Sequence, residues 1–454
     1  MTFNSLPFIL FWIIFTIFFI KDWKPNLKYL LISIFSLFFY GFWKWEYIFI
    51  IILSGFIDYF CGKRIYKSSN KKIWLYISLI SNLGILFLFK YFSFFIQILN
   101  DLGITLNSSI ETGYFSILPI GISFYTFQSM SYTIDIYRGE LKPTRNFLKF
   151  FSYLSLFPQL VAGPIVRARD ILSQMSVMKL QSGDELYYGL KLIIYGFFKK
   201  MVIADGLAKY VNIAFVRPEY PDSSLYWWSV AISFSIQIYC DFSGYSDIAR
   251  GLARMYGIHF PLNFNHPYIA TSFKDFWGRW HISLSTWFRD YVYIPLGGSK
   301  KGKVRSHLNM WITMIISGIW HGGNYTFIIW GTLHALFLSI EREIKLSPPI
   351  FVKRIIVLMG VIVSWVYFRA PSFNDANLIV YKMFSFSGSK VSLGNSISFL
   401  FLVFIFREIY IGKKLYESKM RKTIFKLEPI WLGVMIILSI YLRGDGDTFI
   451  YFQF

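Results

Sequence analysis

Long runs of apolar residues are the feature that most restricts how this chain can fold. A helix that crosses a lipid bilayer needs roughly 20 mostly apolar residues, and such runs begin near the N-terminus at 8–20, 29–42, 47–60 and 73–89. Hydrophobic residues make up 55% of the chain and charged residues 16%, which is too little polar surface to cover a water-soluble globule. We therefore predict a polytopic integral membrane protein.

The chain carries a net charge of +21, and its Lys and Arg residues collect between the apolar runs. The basic stretches are 21–28, 61–72, 138–149, 274–305, 342–354 and 407–426. Because basic loops stay in the cytoplasm, this distribution predicts an all-α protein with about 11–12 transmembrane helices and both termini outside. Such a charge on a soluble protein would suggest nucleic acid. Between membrane spans it favours membrane lipids as the partner and no nucleic acid.

The predicted spans follow from the apolar runs. They lie near 3–20, 27–43, 46–60, 73–98, 115–136, 186–214, 225–240, 308–322, 324–340, 351–368, 394–407 and 429–442. The first has no basic region before it and no cleavage site after it, so we expect a retained helix and not a signal peptide. The segment 147–163 is apolar but interrupted by Pro158 and Gly163, which predicts a broken or re-entrant element buried in protein.

Little in the sequence suggests a bound metal or cofactor, and we expect neither. The two cysteines, Cys61 and Cys240, lie in or beside apolar runs and indicate no disulfide framework or cysteine-based metal site. The basic glycine loop at 297–303 lacks the spacing of a phosphate-binding P-loop.

The segment 259–306 is too polar to span the membrane. Within it, aromatic residues recur at helical spacing from Phe273 to Tyr291, and Ser272 precedes this stretch as a helix cap would. The opposite face carries Lys274, Gly278, His281, Ser285 and Arg289. This pattern predicts an amphipathic helix lying in the membrane interface.

Two of the six histidines have unusual surroundings. His321 follows the apolar run 311–320 and precedes two glycines, so it lies in or near the membrane, where an ionisable residue is costly and usually has a function. Burial favours the neutral imidazole that a general base needs. A tight turn in which His321 only binds a neighbour explains the pattern equally well. His281, taken alone, is most simply an interfacial histidine.

The densest polar cluster beside a span is 240–247. It could line a pathway or orient a histidine. Intramembrane aspartates such as Asp58 and Asp241 are more simply explained by hydrogen bonds between helices, through small polar residues.

Several long motifs occur in one order. They are FPQLVAGP at 157–164, DFSGYSDIA at 241–249, FWGRWHISLS at 276–285, WFRDYVYIPLGG at 287–298, GIWHG at 318–322 and FIYFQF at 449–454. Together they resemble the membrane-bound O-acyltransferase family, above all its bacterial branch that acetylates alginate, peptidoglycan and other exported polysaccharides. The resemblance covers most of the chain from about Leu118 onward. It implies one domain of helices around a central funnel or tunnel, with peripheral helices in 1–114, the catalytic core in 115–343 and C-terminal helices in 344–454.

The resemblance also implies roles for single residues. His321 is the implied catalytic histidine, and His281 is the implied second, supporting position. We predict substrate contacts from other residues of the same motifs: Arg279, Trp280, Ser283, Trp287, Arg289, Trp320, Gly322, Asp241, Ser243 and Tyr245.

The implied reaction moves an acyl group, most simply acetyl, from a cytoplasmic thioester such as acetyl-CoA. An external transferase of the SGNH, or serine-hydrolase-like, type would then modify the glycan, with peptidoglycan expected first and alginate second. The expected location is the inner, cytoplasmic membrane. D-alanyl transfer to teichoic acid is a close alternative. A transporter or flippase, suggested by the broken helix and the intramembrane aspartates, is the non-enzymatic alternative.

Overall fold

The structure is a computed structural model that describes residues 1–104, 118–161, 163–219, 222–344, 348–386, 420–444 and 449. Every regular element in these residues is helical. The contacts divide the chain into two compact units, Met1–Ile193 with Tyr245–Pro261, and Ile194–Gly244 with Leu262–Phe454. The predicted division at 114 and 343 stays a prediction.

The first unit contains the N-terminal helices. They are α1 (Leu6–Ile20), α2 (Pro25–Gly41), α3 (Ile48–Lys67), α4 (Lys71–Leu86), α5 (Phe92–Asp101), α6 (Ile122–Arg138), α7 (Phe147–Leu154), α8 (Phe157–Leu160), α9 (Ala168–Ile171) and most of α10 (Gly183–Phe197). A π-helical turn, Phe87–Tyr91, joins α4 to α5. The predicted interruption of 147–163 is confirmed, because α7 and α8 are separate short helices.

A buried carboxylate joins three helices of this unit. Asp58 of α3 is fully buried. Two residues of α4 donate hydrogen bonds to its carboxylate oxygens: Ser78 through Oγ at 2.5 Å, and Asn82 through Nδ2 at 2.8 Å and 3.0 Å. The hydroxyl of Ser129 on α6 donates to the same carboxylate. Such bonds replace the water that the charge would otherwise need. The interpretation of Asp58 as a link between helices is therefore confirmed.

The second unit contains the C-terminal helices and part of the middle of the chain. They are α11 (Asp205–Val216), α12 (Ser224–Met255, whose last residues belong to the first unit), α13 (Phe273–Trp277), α14 (Ile282–Phe288), α15 (Lys303–His321), α16 (Tyr325–Glu343), α17 (Ile350–Arg369), α18 (Phe373–Phe384) and α19 (Met420–Tyr441). Two π-helical stretches, Phe198–Ala204 and Arg289–Tyr293, precede α11 and follow α14.

Two helical stretches of the described chain are long and apolar enough to cross a membrane. They are Lys71–Asp101, with 31 residues, and Ile350–Arg369, with 20. Leu6–Ile20 and Leu427–Tyr441 are apolar but shorter. The predicted span near 225–240 is part of the longer α12. The predicted span near 394–407 lies outside the described residues.

The single interfacial helix predicted across 273–291 is wrong in its continuity. Ser272 does cap α13, since its hydroxyl accepts from the Asp275 N–H at 2.9 Å. The chain then leaves the helix after Trp277, and His281 adopts the left-handed conformation, with φ of 41°, before α14 begins. A right-handed helix cannot continue through a left-handed residue, so the aromatic stripe is divided between two short helices.

Candidate active site

His321 is the last residue of α15 and is 3% exposed. The chain is extended at Gly322, and Asn324 then starts α16, where its side chain accepts from the Thr326 N–H at 3.1 Å. The predicted turn between two helices is therefore confirmed. The His321 ring is surrounded by aromatic side chains, with centroid distances of 5.0 Å to Trp320, 5.0 Å to Trp330 and 5.1 Å to Phe368.

Close packing between α15 and α16 holds this histidine in place. A Cβ on Gly318 would lie 2.3 Å from the backbone oxygen of Phe327, and a Cβ on Gly322 would lie 2.3 Å from the ring of the same residue. Both distances are shorter than any side-chain carbon could tolerate. Glycine at these two positions therefore allows the helices to approach beside His321.

His281 is fully buried, which makes the prediction of an interfacial histidine on a polar face wrong. Packing against two distant parts of the chain encloses it. The edge-on ring of Phe242 lies at 4.5 Å from the imidazole, and the indole of Trp320 lies at 6.2 Å. Burial disfavours the imidazolium and lowers the pKa of His281 to about 3.

The hydrogen bonds of Asn263 define the tautomer of His281. Asn263 Oδ1 lies 3.1 Å from His281 Nδ1, 3.2 Å from the Ser283 N–H and 2.8 Å from Ser283 Oγ. A backbone N–H can only donate, so the Asn263 atom is the amide oxygen and an acceptor. His281 Nδ1 therefore carries the hydrogen, and Nε2 carries the lone pair.

A cavity of about 650 Å³ lies between the short helices and α15–α16. Its wall on α15 is formed by Met310, Thr313, Met314 and Ser317, which follow helical spacing. His321 comes four residues after Ser317. Residues four apart share one face of a helix, so the cavity wall on α15 leads to the catalytic candidate.

The wall on α14 begins close in sequence to the other histidine. Leu284, Ser285, Phe288 and Arg289 line the cavity. His281 precedes Ser285 by four residues, at the N-cap of this helix. The wall on α15 thus follows a helix face that leads to His321, whereas the wall on α14 begins one turn after His281, whose left-handed backbone lies outside the helix.

Three cationic residues, Lys274, Arg289 and Arg342, line the cavity and are exposed. The Arg289 Nε is paired with Asp290 at 2.7 Å. Glu341 also lines the cavity, and its carboxylate accepts from the backbone N–H of Lys274 at 3.3 Å. The polar face predicted for an interfacial helix therefore contributes Lys274, Ser285 and Arg289 to a cavity, where phosphate or another anion could bind.

The other predicted substrate contacts around the histidines occupy different surroundings. Ser283 binds Asn263, and Trp320 is 4% exposed and contacts both histidines. Trp280 is buried against Trp365 at 4.8 Å, and Trp287 packs on Tyr291 at 5.0 Å. These side chains shape the surroundings of the cavity without lining it.

Arg279 also lies away from the cavity lining. Its Nε pairs with Asp275 at 2.7 Å, and its Nη1 donates to the backbone oxygen of Asn265 at 3.2 Å. These bonds brace the turn that carries His281.

The three predicted contacts from the DFSGYSDIA motif are not brought together with the cavity. Asp241 is ion-paired with Lys200 at 2.8 Å, and Ser243 accepts from Lys199 Nζ at 3.1 Å. Tyr245 belongs to the first unit, where its ring stacks on that of Phe3 at 4.4 Å. Within the described residues, no group of three His, Cys, Asp or Glu side chains is arranged to hold a metal ion.

Several residues around the site were not identified from the sequence. Ser317 precedes His321 by one helical turn, and that spacing alone could have indicated it. Asn263 and Phe242 reach His281 from distant parts of the chain, and no local signal indicates either residue.

In the described part of the chain the elements are helical, two stretches are apolar enough to cross a membrane, and a cavity wall leads towards the buried His321. These features fit an enzyme embedded in a membrane. The chain belongs to the membrane-bound O-acyltransferase family, whose family model matches residues 8–380. It is therefore a membrane protein and an acyltransferase, as the motifs indicated. The enzyme hypothesis is confirmed over the transporter alternative.

Curated proteins of three kinds are similar to this chain. The probable alginate O-acetylase AlgI of Pseudomonas aeruginosa is 38% identical over 373 residues, which cover 80% of this chain and 71% of the relative. The peptidoglycan O-acetyltransferase of Helicobacter pylori is 34% identical over 389 residues, 78% of this chain and 73% of the relative. The teichoic acid D-alanyltransferase of Bacillus subtilis is 32% identical over 232 residues, 48% of this chain and 58% of the relative.

Proposed function

We propose that this protein transfers an acetyl group from cytoplasmic acetyl-CoA for O-acetylation of a cell-wall or exported polysaccharide. The observation that carries the proposal is the cavity wall on α15, which runs from Met310 through Ser317 towards His321. Similarity to the two O-acetylating relatives extends over more of the chain than similarity to the D-alanyltransferase, 80% and 78% against 48%. This difference favours acetyl over D-alanyl.

The cavity suits a thioester with a charged head and a thin arm. Lys274, Arg289 and Arg342 are exposed and offer cationic groups for the phosphates of a nucleotide. Ser317 is 4% exposed and lies one turn from His321. A pantetheine arm entering between these groups would bring its thioester towards the buried imidazole.

His321 would act as the general base. Its neutral imidazole accepts the proton of an acceptor hydroxyl while that oxygen attacks the thioester carbonyl carbon. A C–O bond forms and the C–S bond breaks. The departing thiolate takes the proton from the imidazolium, which leaves an ester, free CoA thiol and a neutral histidine. His281, with its lone pair on Nε2, would orient the donor or acceptor beside this reaction.

The same proposal includes the setting of the reaction. The protein would lie in the inner membrane, with about 11–12 transmembrane helices around a central tunnel and 274–305 on the cytoplasmic side. Residues of 274–305 contribute much of the cavity lining, as a cytoplasmic donor requires. An external SGNH transferase would receive the acetyl group and esterify hydroxyls of peptidoglycan or alginate.

Thioester turnover by the purified protein in lipid nanodiscs tests the proposal. Acetyl-CoA, palmitoyl-CoA and a D-alanyl carrier protein would be compared by release of free thiol, with His321→Ala as the matched control. We expect turnover of acetyl-CoA that depends on His321. Turnover of the D-alanyl carrier alone would establish the alternative donor. Equal thiol release by wild type and His321→Ala with every donor would overturn the proposal.

A further inference from the structure

Two buried lysines lie outside the candidate active site. Lys199 and Lys200 are on the π-helical turn Phe198–Ala204, between α10 and α11, and are 4% and 6% exposed. π-Helical turns are rare in proteins overall, but those that do occur are often found at functional sites. A buried ammonium group is costly unless other groups of the protein replace its water.

The partners of these lysines lie on two helices. Lys200 Nζ is 2.8 Å from Asp205 Oδ1 on α11 and 2.8 Å from Asp241 Oδ1 on α12. Lys199 Nζ donates to Ser243 Oγ, also on α12, at 3.1 Å. The two contacts on α12 are therefore made by the residues on either side of Phe242.

Backbone packing holds the same part of α12 against this turn. A Cβ on Gly244 would lie 2.8 Å from the backbone oxygen of Gly196 and 3.2 Å from the nitrogen of Lys200. The absence of a side chain at Gly244 allows α12 to pack directly on the turn. Three of the four positions 241–244 thus contact the segment 196–200.

The remaining position of these four, Phe242, packs towards the candidate site instead. Its ring is fully buried and meets the His281 imidazole edge-on, with centroids 4.5 Å apart and planes at 89°. It also packs on Phe264 at 5.0 Å and on Phe449 at 5.7 Å. A shift of α12 at Asp241 or Ser243 would move this ring and open the space beside His281.

We propose that Lys199 and Lys200 are positioning residues, which anchor α12 on both sides of Phe242 and thereby hold the His281 imidazole. Asp241 and Ser243 then serve as the anchor points, in place of the substrate contacts expected from the sequence. The part of His281 in the reaction rests on the proposed function, whereas the anchoring of α12 by the two lysines does not.

The test compares the two carboxylates that share Lys200. Asp241→Asn loosens the anchor beside Phe242, whereas Asp205→Asn makes the same change in charge on the other partner and leaves the Asp241 contact in place. Two quantities are measured in nanodiscs for each variant. One is acetyl-CoA turnover as separate kcat and KM. The other is carbethoxylation of His281 by diethylpyrocarbonate, mapped by mass spectrometry with the exposed His259 as the internal reference.

We expect Asp241→Asn to lower kcat by about 10- to 100-fold, with the KM for acetyl-CoA unchanged, because misplacement of a catalytic group mainly affects the chemical step. His281 should become reactive in this variant and stay protected in Asp205→Asn. In a His281→Ala background, Asp241→Asn should cause no further loss. If Asp241→Asn fails to fold, Ser243→Ala removes the Lys199 contact without a change of charge and should expose His281 in the same way.

Two results would overturn the inference. One is equal effects of Asp241→Asn and Asp205→Asn on kcat and labelling. The other is a raised KM for acetyl-CoA with His281 still protected, which would place Asp241 at the substrate. If the wild type turns over no acetyl-CoA, the proposed function fails, whereas the labelling of His281 still decides whether the lysines hold it.

Discussion

The imidazoles of His281 and His321 lie against the same indole, that of Trp320, at centroid distances of 6.2 Å and 5.0 Å. One is the N-cap of α14 and the other ends α15. All three side chains are buried, with exposed fractions of 0% for His281, 4% for Trp320 and 3% for His321. The sharing of one neighbour by two buried histidines suggests that they act together, and their different contacts suggest unequal roles.

His321→Ala should remove acetyl transfer at any concentration of acetyl-CoA, because a general base contributes about 10²–10⁴-fold to the rate. His281→Ala should leave measurable activity, because an orienting role is smaller. A donor titration of both purified variants, with folding checked by thermal melting, measures the difference. Equal and complete loss in both would contradict separate roles.

Gly322→Ala should lower activity, with a moderate loss of thermal stability from overpacking. The new Cβ would lie 2.3 Å from Phe327 Cε2, and the Phe327 ring packs on both His321 and Phe368, at 6.5 Å and 5.0 Å. Gly206→Ala, where a Cβ meets nothing within 4 Å, is the control. We expect a loss of kcat of about 10-fold or more in Gly322→Ala from the displaced imidazole. Wild-type kcat in that variant would show that the ring gives way without moving His321.

Reversing the exposed cavity cations should weaken donor binding. In the double variant Lys274→Glu, Arg342→Glu, we expect the KM for acetyl-CoA to rise about 10-fold or more, with little change in kcat. The reason is that each hydrogen bond to a charged phosphate contributes about 1.5–3 kcal/mol. The effect should shrink at high salt. Arg354→Glu changes an exposed cation on α17 outside the cavity lining and serves as the control. An equal rise in KM for the control would indicate a general effect of charge.

Acid should destabilise the protein partly through His281. Burial lowers the pKa of His281 from its ordinary 6.5 to about 3. The unfolded chain therefore binds a proton that the folded chain excludes. This contribution to stability is complete above pH 6.5 and is lost as the pH falls towards 3. Melting temperatures from pH 7.5 to 4.5 should fall more steeply in the wild type than in His281→Asn, and parallel curves would contradict the burial of a neutral ring.

The sidedness of the cavity can be measured directly. The test uses Lys301→Cys in a cysteine-free background and a maleimide that cannot cross the membrane. The maleimide should label Cys-substituted protein in inverted vesicles, which expose the cytoplasmic face, and should not label it in intact cells. The reason is the basic stretch 274–305, which the positive-inside rule places in the cytoplasm. Labelling of intact cells would show that the predicted topology is reversed and that the donor site faces the outside.

The sequence by itself determined the properties that depend on neighbouring residues. The apolar runs indicated helices in a membrane, the ordered motifs indicated the family, and the run before Gly322 placed His321 at the end of a helix. Ser272 was recognised as a helix cap because it directly precedes the aromatic stretch. The spans, the helix end at His321 and the cap follow from hydropathy or spacing along a single helix, whereas the family follows from the resemblance of the motifs.

Only the tertiary structure decided what depends on residues far apart in the chain. The aromatic stripe predicted one continuous helix, but the left-handed backbone at His281 divides it, and Asn263 and Phe242 enclose that ring. The polar residues of DFSGYSDIA were expected at the substrate, yet Asp241 pairs with Lys200. Hydropathy shows that a polar residue in an apolar helix needs a partner. The identity of the partner depends on which helices pack together, and local pattern carries no information about that.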